Sequence, residues 1–586
     1  MNYQELDVLS ALLDQSYTSQ RDLSQRSGHS LGSVNRALKQ LTDQGYINAF
    51  YQPTDKALQL QRATAPRQAI ILAAGFGMRM VPINTSAPKA LLQVHGQTLI
   101  ERLICQLHQA NIRQIRVVVG FMKEQFDYLI DKYGVALICN SDYTTKNNLH
   151  SLALALPDLG GSYIVPCDLW FRENPFLTPS LYSWYAVTNQ PKPDSFIRAN
   201  RKHQLVRTAD GNGVQALGLC YLTEDDGAAL ARQLQDMDRE SRYDSNFWED
   251  ALFRQGMPSV SARAFCDTDA IEINTYEQLR ELDNNSNQLK SDAICAITEA
   301  LQVSDQAITQ ITVLKKGMTN RSFLFTCNGK RYIMRIPGEG TDQLIARAEE
   351  AAVYRVIADK DICDNIAYID PSTGYKITEY LEGARVCDPL NPQDVAQCMD
   401  RLRRFHRMGL QVEHHFDIFE NIRFYESLWN GASSCFRDYE NTKAQVCSLQ
   451  DYIDRQEKQL CLTHIDAVPD NFLFAPTADG TQQIRLIDWE YAGMQDPHVD
   501  IAMFAIYAMY DHDHIEALID AYFPEGCTFE TRTKIYCYIA ACGLLWSNWC
   551  EYKRQLGVEF GEYSLRQYRY AKDYYRIASQ RIREGE

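Results

Sequence analysis

His464-Ile-Asp-Ala-Val-Pro-Asp-Asn471, followed by Leu486-Ile-Asp-Trp-Glu490, is the stretch from which the rest of the chain can be ordered. Asp466 and Asn471 stand five residues apart on one expected loop. A carboxylate there can take a proton from a hydroxyl, and a carboxamide oxygen can hold Mg²⁺. Asp488 adds a second carboxylate, of the kind that bridges a metal to phosphate oxygens.

This pair of strings resembles the catalytic and metal-binding loops of the choline/ethanolamine kinases. The resemblance implies a two-lobed α+β fold over residues 286–586, with ATP and an amino alcohol as substrates. Asp466 is then the base, and Asn471 and Asp488 the metal ligands. Lys315 to Phe325 reads as a strand-turn-strand hairpin carrying the Gly-x-Thr-Asn loop of that family, with Thr319 and Asn320 on the nucleotide. Arg335 stands where protein kinases carry a lysine, and a guanidinium can bridge two phosphates. Glu349, on a helix with Val353, Tyr354 and Ile357 toward the core, is its expected partner. Trp489, Glu490, Trp546 and Trp549 are the candidates for the amino alcohol, the last two being neighbours on one helix face. Asp500 is expected to orient the catalytic loop by hydrogen bonding.

Upstream, Ile70-Ile-Leu-Ala-Ala-Gly-Phe-Gly-Met-Arg79 runs a buried-strand pattern into a glycine loop, and Ala87-Pro-Lys89 follows. Gly75 and Gly77 let backbone N–H groups approach phosphate oxygens without a Cβ in the way. The full string resembles the nucleotidyltransferases that make NDP-sugars and CDP-alcohols, which implies a doubly wound α/β domain over residues 67–285. By that resemblance Arg79 contacts the β and γ phosphates, and Lys89 faces the charge between the α phosphate and the incoming phosphate. Gly120 opens the loop beside the base. Asn148 belongs to an Asn-Asn-x-x-Ser-Leu segment like that of bacterial phosphocholine cytidylyltransferases. Asp168, at the end of the strand from Ser162, is the expected metal carboxylate. Glu272 and Asn274 lie where the family closes with a second metal-binding carboxylate, and here the aspartate is replaced by Asn274. Trp170, Trp248 and Glu249 are the candidates for a quaternary ammonium.

Residues 1–64 resemble a bacterial winged helix-turn-helix, with Ser30 to Gln44 as recognition helix, Tyr46 to Tyr51 as a strand entering the wing, and Ala63 to Gln68 as linker. Five cations face six acidic residues over the first sixty positions, so a docking or dimerisation module, and hence a homo-oligomer, weighs as much as DNA binding.

The whole is expected to be a multidomain protein, bifunctional in making CDP-choline: ATP phosphorylates choline, and CTP then loads phosphocholine with loss of pyrophosphate. Ethanolamine, an aminoalkylphosphonate or a sugar phosphate is the alternative substrate; a regulator using degenerate enzyme domains as sensors is the alternative class. Net charge of −16 argues against nucleic acid as main partner, and 17 scattered cysteines without Cys-x-x-Cys argue against zinc ribbons and disulfides. No apolar run reaches spanning length and the start has no leader pattern, so a cytoplasmic protein is expected, with no membrane partner.

Overall fold

The computed structural model describes residues 1–586 except 76, 78–79, 81–86, 194, 201, 209–210, 315–319, 339–343, 478–479, 557, 559 and 586. The chain divides into two compact units, residues 1–295 with 311–313, and residues 296–310 with 314–586. No helix among the described residues is long and apolar enough to cross a membrane.

The first unit opens with three helices, α1 (Tyr3–Asp14), α2 (Gln20–Ser27) and α3 (Leu31–Asp43). Each starts on a side-chain cap that satisfies an otherwise orphan N–H: Asn2, Ser19 and Ser30. Gly28 ends α2 in the left-handed conformation, at φ 72°. Val8, Leu9, Leu12, Leu23, Val34, Leu38 and Leu41 close one small core. Asn35, Arg36 and Lys39 are exposed on α3, as a recognition helix requires.

Two expectations fail here. The wing contains no strand, only a bridge between Ile47 and Pro53, because the Asn48 side chain accepts from the N–H groups of Phe50 and Gln52 and turns the chain at once. The expected linker is partly α4 (Asp55–Thr64), which takes in Ala63 and Thr64. The module is also seated on residues 179–182 of the neighbouring domain. Leu181 completes its core, Ser10 Oγ donates to Pro179 O at 2.6 Å, and Tyr182 donates to Asp7.

A seven-stranded sheet forms the body of this unit. Its strands are β1 (Gln68–Ala73), β2 (Gln114–Val119), β3 (Ala136–Cys139), β4 (Ser162–Pro166), β5 (Trp184–Pro193), β6 (Asn212–Leu222) and β7 (Ser261–Phe265), in the spatial order β7-β5-β6-β4-β1-β2-β3. The apolar run of β1 needs burial on both faces and gets it: Ala69, Ile71 and Ala73 enter one core, Ile70 and Leu72 the other. β1 pairs in parallel with both β2 and β4. The strand order reverses there, so the loops after β1, β2 and β4 open one crevice. Those loops carry Gly75, Gly120 and Asp168.

In the second unit, β8 (Asn320–Cys327), β9 (Lys330–Pro337) and β11 (Lys376–Glu379) form an antiparallel run completed by β10 (Ile366–Ile369). The helix Arg347–Ile357 follows β9. A helical lobe holds the apolar core, with Phe529–Gln555 and Glu562–Gly585 as its long helices.

Two candidate active sites

In the first unit, the crevice brings distant residues onto one lysine. Lys89, on a 3-10 turn started by Pro88, donates to Asp168 Oδ2 at 2.6 Å and to Asn274 Oδ1 at 2.8 Å. Gly77 has φ 61°, and a Cβ there would stand 3.2 Å from Lys89 Cβ. At Gly120 a Cβ would lie 2.7 Å from Ala74 O and 2.9 Å from Tyr143, so only glycine lets the two loops close. Ala270–Glu272 pairs antiparallel with Leu169–Phe171, which sets Glu272 and Asn274 beside Asp168. Glu272 accepts from Gln215 at 3.0 Å. Asp168 and Glu272 carry carboxylate oxygens, the hard donor type that suits Mg²⁺. The Asn274 oxygen is already engaged by Lys89. Arg79 lies outside the described residues.

Glu249 is a strongly perturbed carboxyl of this unit. Burial raises it to about 7, with Asp250 and Glu272 adding repulsion against the hydrogen bond from Tyr185. Tyr185 donates to Oε1 at 3.1 Å; Oε2 is buried with no hydrogen bond among the described residues. Asn148 accepts from the Trp248 N–H at 2.9 Å and so holds the segment that carries Glu249.

The two aromatic candidates of this unit have protein contacts of their own. Trp248 is buried against Tyr185, ring centroids 5.9 Å apart. Trp170 is buried with the Arg102 guanidinium 4.9 Å from its ring centroid.

In the second unit the catalytic loop is clamped from below. Ile465 has φ 68°, a left-handed conformation costly for a β-branched residue, on the order of 1–3 kcal/mol. Asp500, with no exposed surface, accepts from His464 N at 3.0 Å, Ile465 N at 2.7 Å and His406 Nε2 at 2.9 Å. Hydrogen bonds to a charged group contribute about 1.5–3 kcal/mol each, enough to hold that backbone. Asp466 is thereby fixed, and Asn471 Nδ2 donates to its carboxylate at 3.0 Å and to its carbonyl at 2.8 Å.

Burial, then the nearby Asp488 and Glu490, push Asp466 up to about 8. Asp488 sits at φ 66° with Oδ1 buried and without a hydrogen bond among the described residues. Three crowded carboxyls and an orphan oxygen fit a divalent cation shared with phosphates, although no ready-made cluster of three ligands exists among the described residues.

Arg335 does not pair with Glu349, which is exposed. Its partner is Glu350, bound by both guanidinium nitrogens at 2.5 and 2.7 Å. Glu490, a candidate for the amino alcohol, is a buried carboxyl. It accepts from Asn320 Nδ2 at 2.9 Å and stands 3.6 Å from both Arg335 and Arg347, tying the nucleotide strand to the metal loop. Trp489 is wholly buried, donates to Leu486 O at 2.8 Å and packs on His464 and Phe405. Thr319 lies outside the described residues.

Trp546 and Trp549 are buried neighbours, ring centroids 5.5 Å apart, with Tyr491 edge-on to Trp546 and Phe560 against Trp549. Burial raises the phenols of Tyr425, Tyr491, Tyr507 and Tyr563, and the Asp466 carboxyl adds a smaller push in the same direction. None of these tyrosines was nominated from sequence, because their distances along the chain carry no spacing signal.

Three segments of the chain match known families. Residues 1–48 match the winged helix-turn-helix DNA-binding family, residues 69–238 the MobA-like NTP transferase domain and residues 311–525 choline/ethanolamine kinase. A choline-phosphate cytidylyltransferase of Streptococcus pneumoniae is 46% identical over 118 residues, 20% of this chain and 52% of that enzyme. A 2-aminoethylphosphonate cytidylyltransferase of Lancefieldella rimae is 34% identical over 193 residues, 31% of this chain and 78% of that enzyme. The crystal structure of a choline kinase from Streptococcus pneumoniae is 27% identical, spans 49% of this chain and all of its own, and superposes with a TM-score of 0.43. The chain belongs to the cytidylyltransferases of the MobA-like NTP transferase type, with a winged helix before that domain and a choline/ethanolamine kinase domain after it.

Proposed function

We propose that the chain makes CDP-choline from choline in two consecutive steps, working in the cytoplasm on ATP, CTP and Mg²⁺. The observation that carries this reading is the pairing itself. A kinase makes the phosphate ester that a cytidylyltransferase consumes. An aminoalkylphosphonate already bears its phosphorus and would leave the kinase without a task, which favours an alcohol as the starting substrate. Quaternary ammonium is favoured over a primary amine because the kinase domain gathers Tyr491, Trp546 and Trp549, rings that can face a cation but accept few hydrogen bonds.

In the kinase, Asp466 takes the hydroxyl proton as the choline oxygen attacks the γ phosphorus of ATP. Arg335, held by Glu350, binds the departing diphosphate, and Tyr491, Trp546 and Trp549 face the trimethylammonium. In the transferase, the phosphocholine oxygen attacks the α phosphorus of CTP. Lys89 faces the charge gathered there, Arg79 holds the pyrophosphate, and Glu249 faces the cation. Asn471 and Asp488 would hold Mg²⁺ in one site and Asp168 with Glu272 in the other; the ion neutralises phosphate charge in both. The three domains are assigned to residues 1–64, 67–285 and 286–586. Turnover of the purified chain with ATP, CTP and a panel of choline, ethanolamine and 2-aminoethylphosphonate tests the reading. Choline should give the largest kcat/KM in the coupled reaction, and preference for either other compound overturns it.

A further inference from the structure

We infer that Lys376 is a positioning residue of the kinase nucleotide site, acting through Glu350 on Arg335. It is directly paired with Arg335 across β9 and β11, so the two side chains leave the sheet on the same face. Both are buried. A buried lysine is costly unless its charge and its N–H groups find partners. Lys376 Nζ donates to Tyr354 OH at 2.7 Å and stands 3.5 Å from Glu350 Oε1.

Glu350 Oε1 is the same oxygen that receives Arg335 Nη1. The same nitrogen also stands 3.7 Å from Asp488 and 3.6 Å from Glu490 on the metal loop. Arg335 is therefore shared among three carboxylates. Its place depends on Glu350 staying put, and Lys376 braces Glu350 from the Tyr354 side. An arginine at this strand position has a longer, two-pronged reach than a lysine, and needs a fixed fork on the carboxylate if its remaining edge is to meet phosphate. Removing the brace frees Glu350, and with it Arg335, to move toward Asp488 and Glu490, where the guanidinium no longer meets an incoming polyphosphate.

The inference rests on the kinase reading but not on choline, so it is tested by nucleotide binding alone. Titration of the full chain with ADP and Mg²⁺ should show about tenfold weaker binding for Lys376→Met, with choline KM and cytidylyl transfer unchanged. Lys376→Arg should restore binding to within about threefold. A folded Lys376→Met that binds ADP like wild type overturns the inference. So does a variant in which ADP affinity and choline KM worsen by the same factor while Tm falls, since that is a packing role. Where Lys376→Met does not fold, Tyr354→Phe replaces it: loss of the hydroxyl that holds Lys376 should weaken ADP binding about two- to fivefold, and unchanged binding again overturns the inference.

Discussion

Replacing Asp466 with asparagine should remove activity from the kinase and add stability to it, increasingly so as pH rises. In the nucleotide-free protein burial and the neighbouring carboxyls of Asp488 and Glu490 hold Asp466 near 8, whereas an unfolded chain releases that proton near 4. Between those limits the folded state binds more protons than the unfolded one, so the free energy of unfolding falls as pH rises. A fully developed difference amounts to about 1.4 kcal/mol per pH unit, or roughly 3 kcal/mol from pH 5.5 to 7.5. Relaxation around buried charge reduces this, and about 1–2 kcal/mol is the expected effect. Asparagine is neutral in both states and still offers an oxygen to Asn471. Thermal unfolding of the full chain and of Asp466→Asn, without nucleotide, at pH 5.5, 6.5 and 7.5 reads this directly. The Tm of the kinase transition in the variant should rise relative to wild type by a few degrees across that range. Parallel Tm profiles would refute the buried, proton-holding carboxyl.

Three further substitutions test the assignments separately. Lys89→Ala should lower CDP-choline formation from phosphocholine about 10²-fold, through loss of a cation facing transition-state charge, while choline phosphorylation continues; CTP turnover within twofold of wild type removes Lys89 from the site. Trp546→Leu or Trp549→Leu should raise the KM for choline about five- to thirtyfold, the worth of a desolvated cation–π contact, leave the KM for ATP unchanged and affect ethanolamine less; equal effects on both alcohols mark the rings as core alone. Glu350→Gln should cost about 3 kcal/mol of kinase stability and raise the KM for ATP, because it unpairs a buried guanidinium, whereas Glu349→Gln should stay within about 0.5 kcal/mol of wild type by denaturant titration.

The phosphate-handling loops were legible in the chain because they need fixed local backbone. Gly77 at positive φ, Gly120 in close contact and the Asp466-to-Asn471 spacing are local requirements that spacing records. What depends on long-range packing was less visible. The Glu349 assignment was nevertheless avoidable: Val353, Tyr354 and Ile357 define the buried face of their helix, and Glu350, not Glu349, lies three, four and seven residues before them. Trp248 reads the same in sequence whether it lines a ligand or a core, and its contact with Tyr185 is visible only in the fold. The wing was lost to one asparagine side chain, whose bonds to Phe50 and Gln52 replace a strand pairing.

The most direct test of the account is a one-pot reaction with the purified chain, ATP, CTP, Mg²⁺ and labelled choline. The wild type should carry label through phosphocholine into CDP-choline. Asp466→Asn should leave choline unchanged yet convert added phosphocholine at the wild-type rate. Absence of CDP-choline from the wild type, or a folded Asp466→Asn that loses cytidylyl transfer as well, would contradict two separate phosphate chemistries working in sequence on one chain.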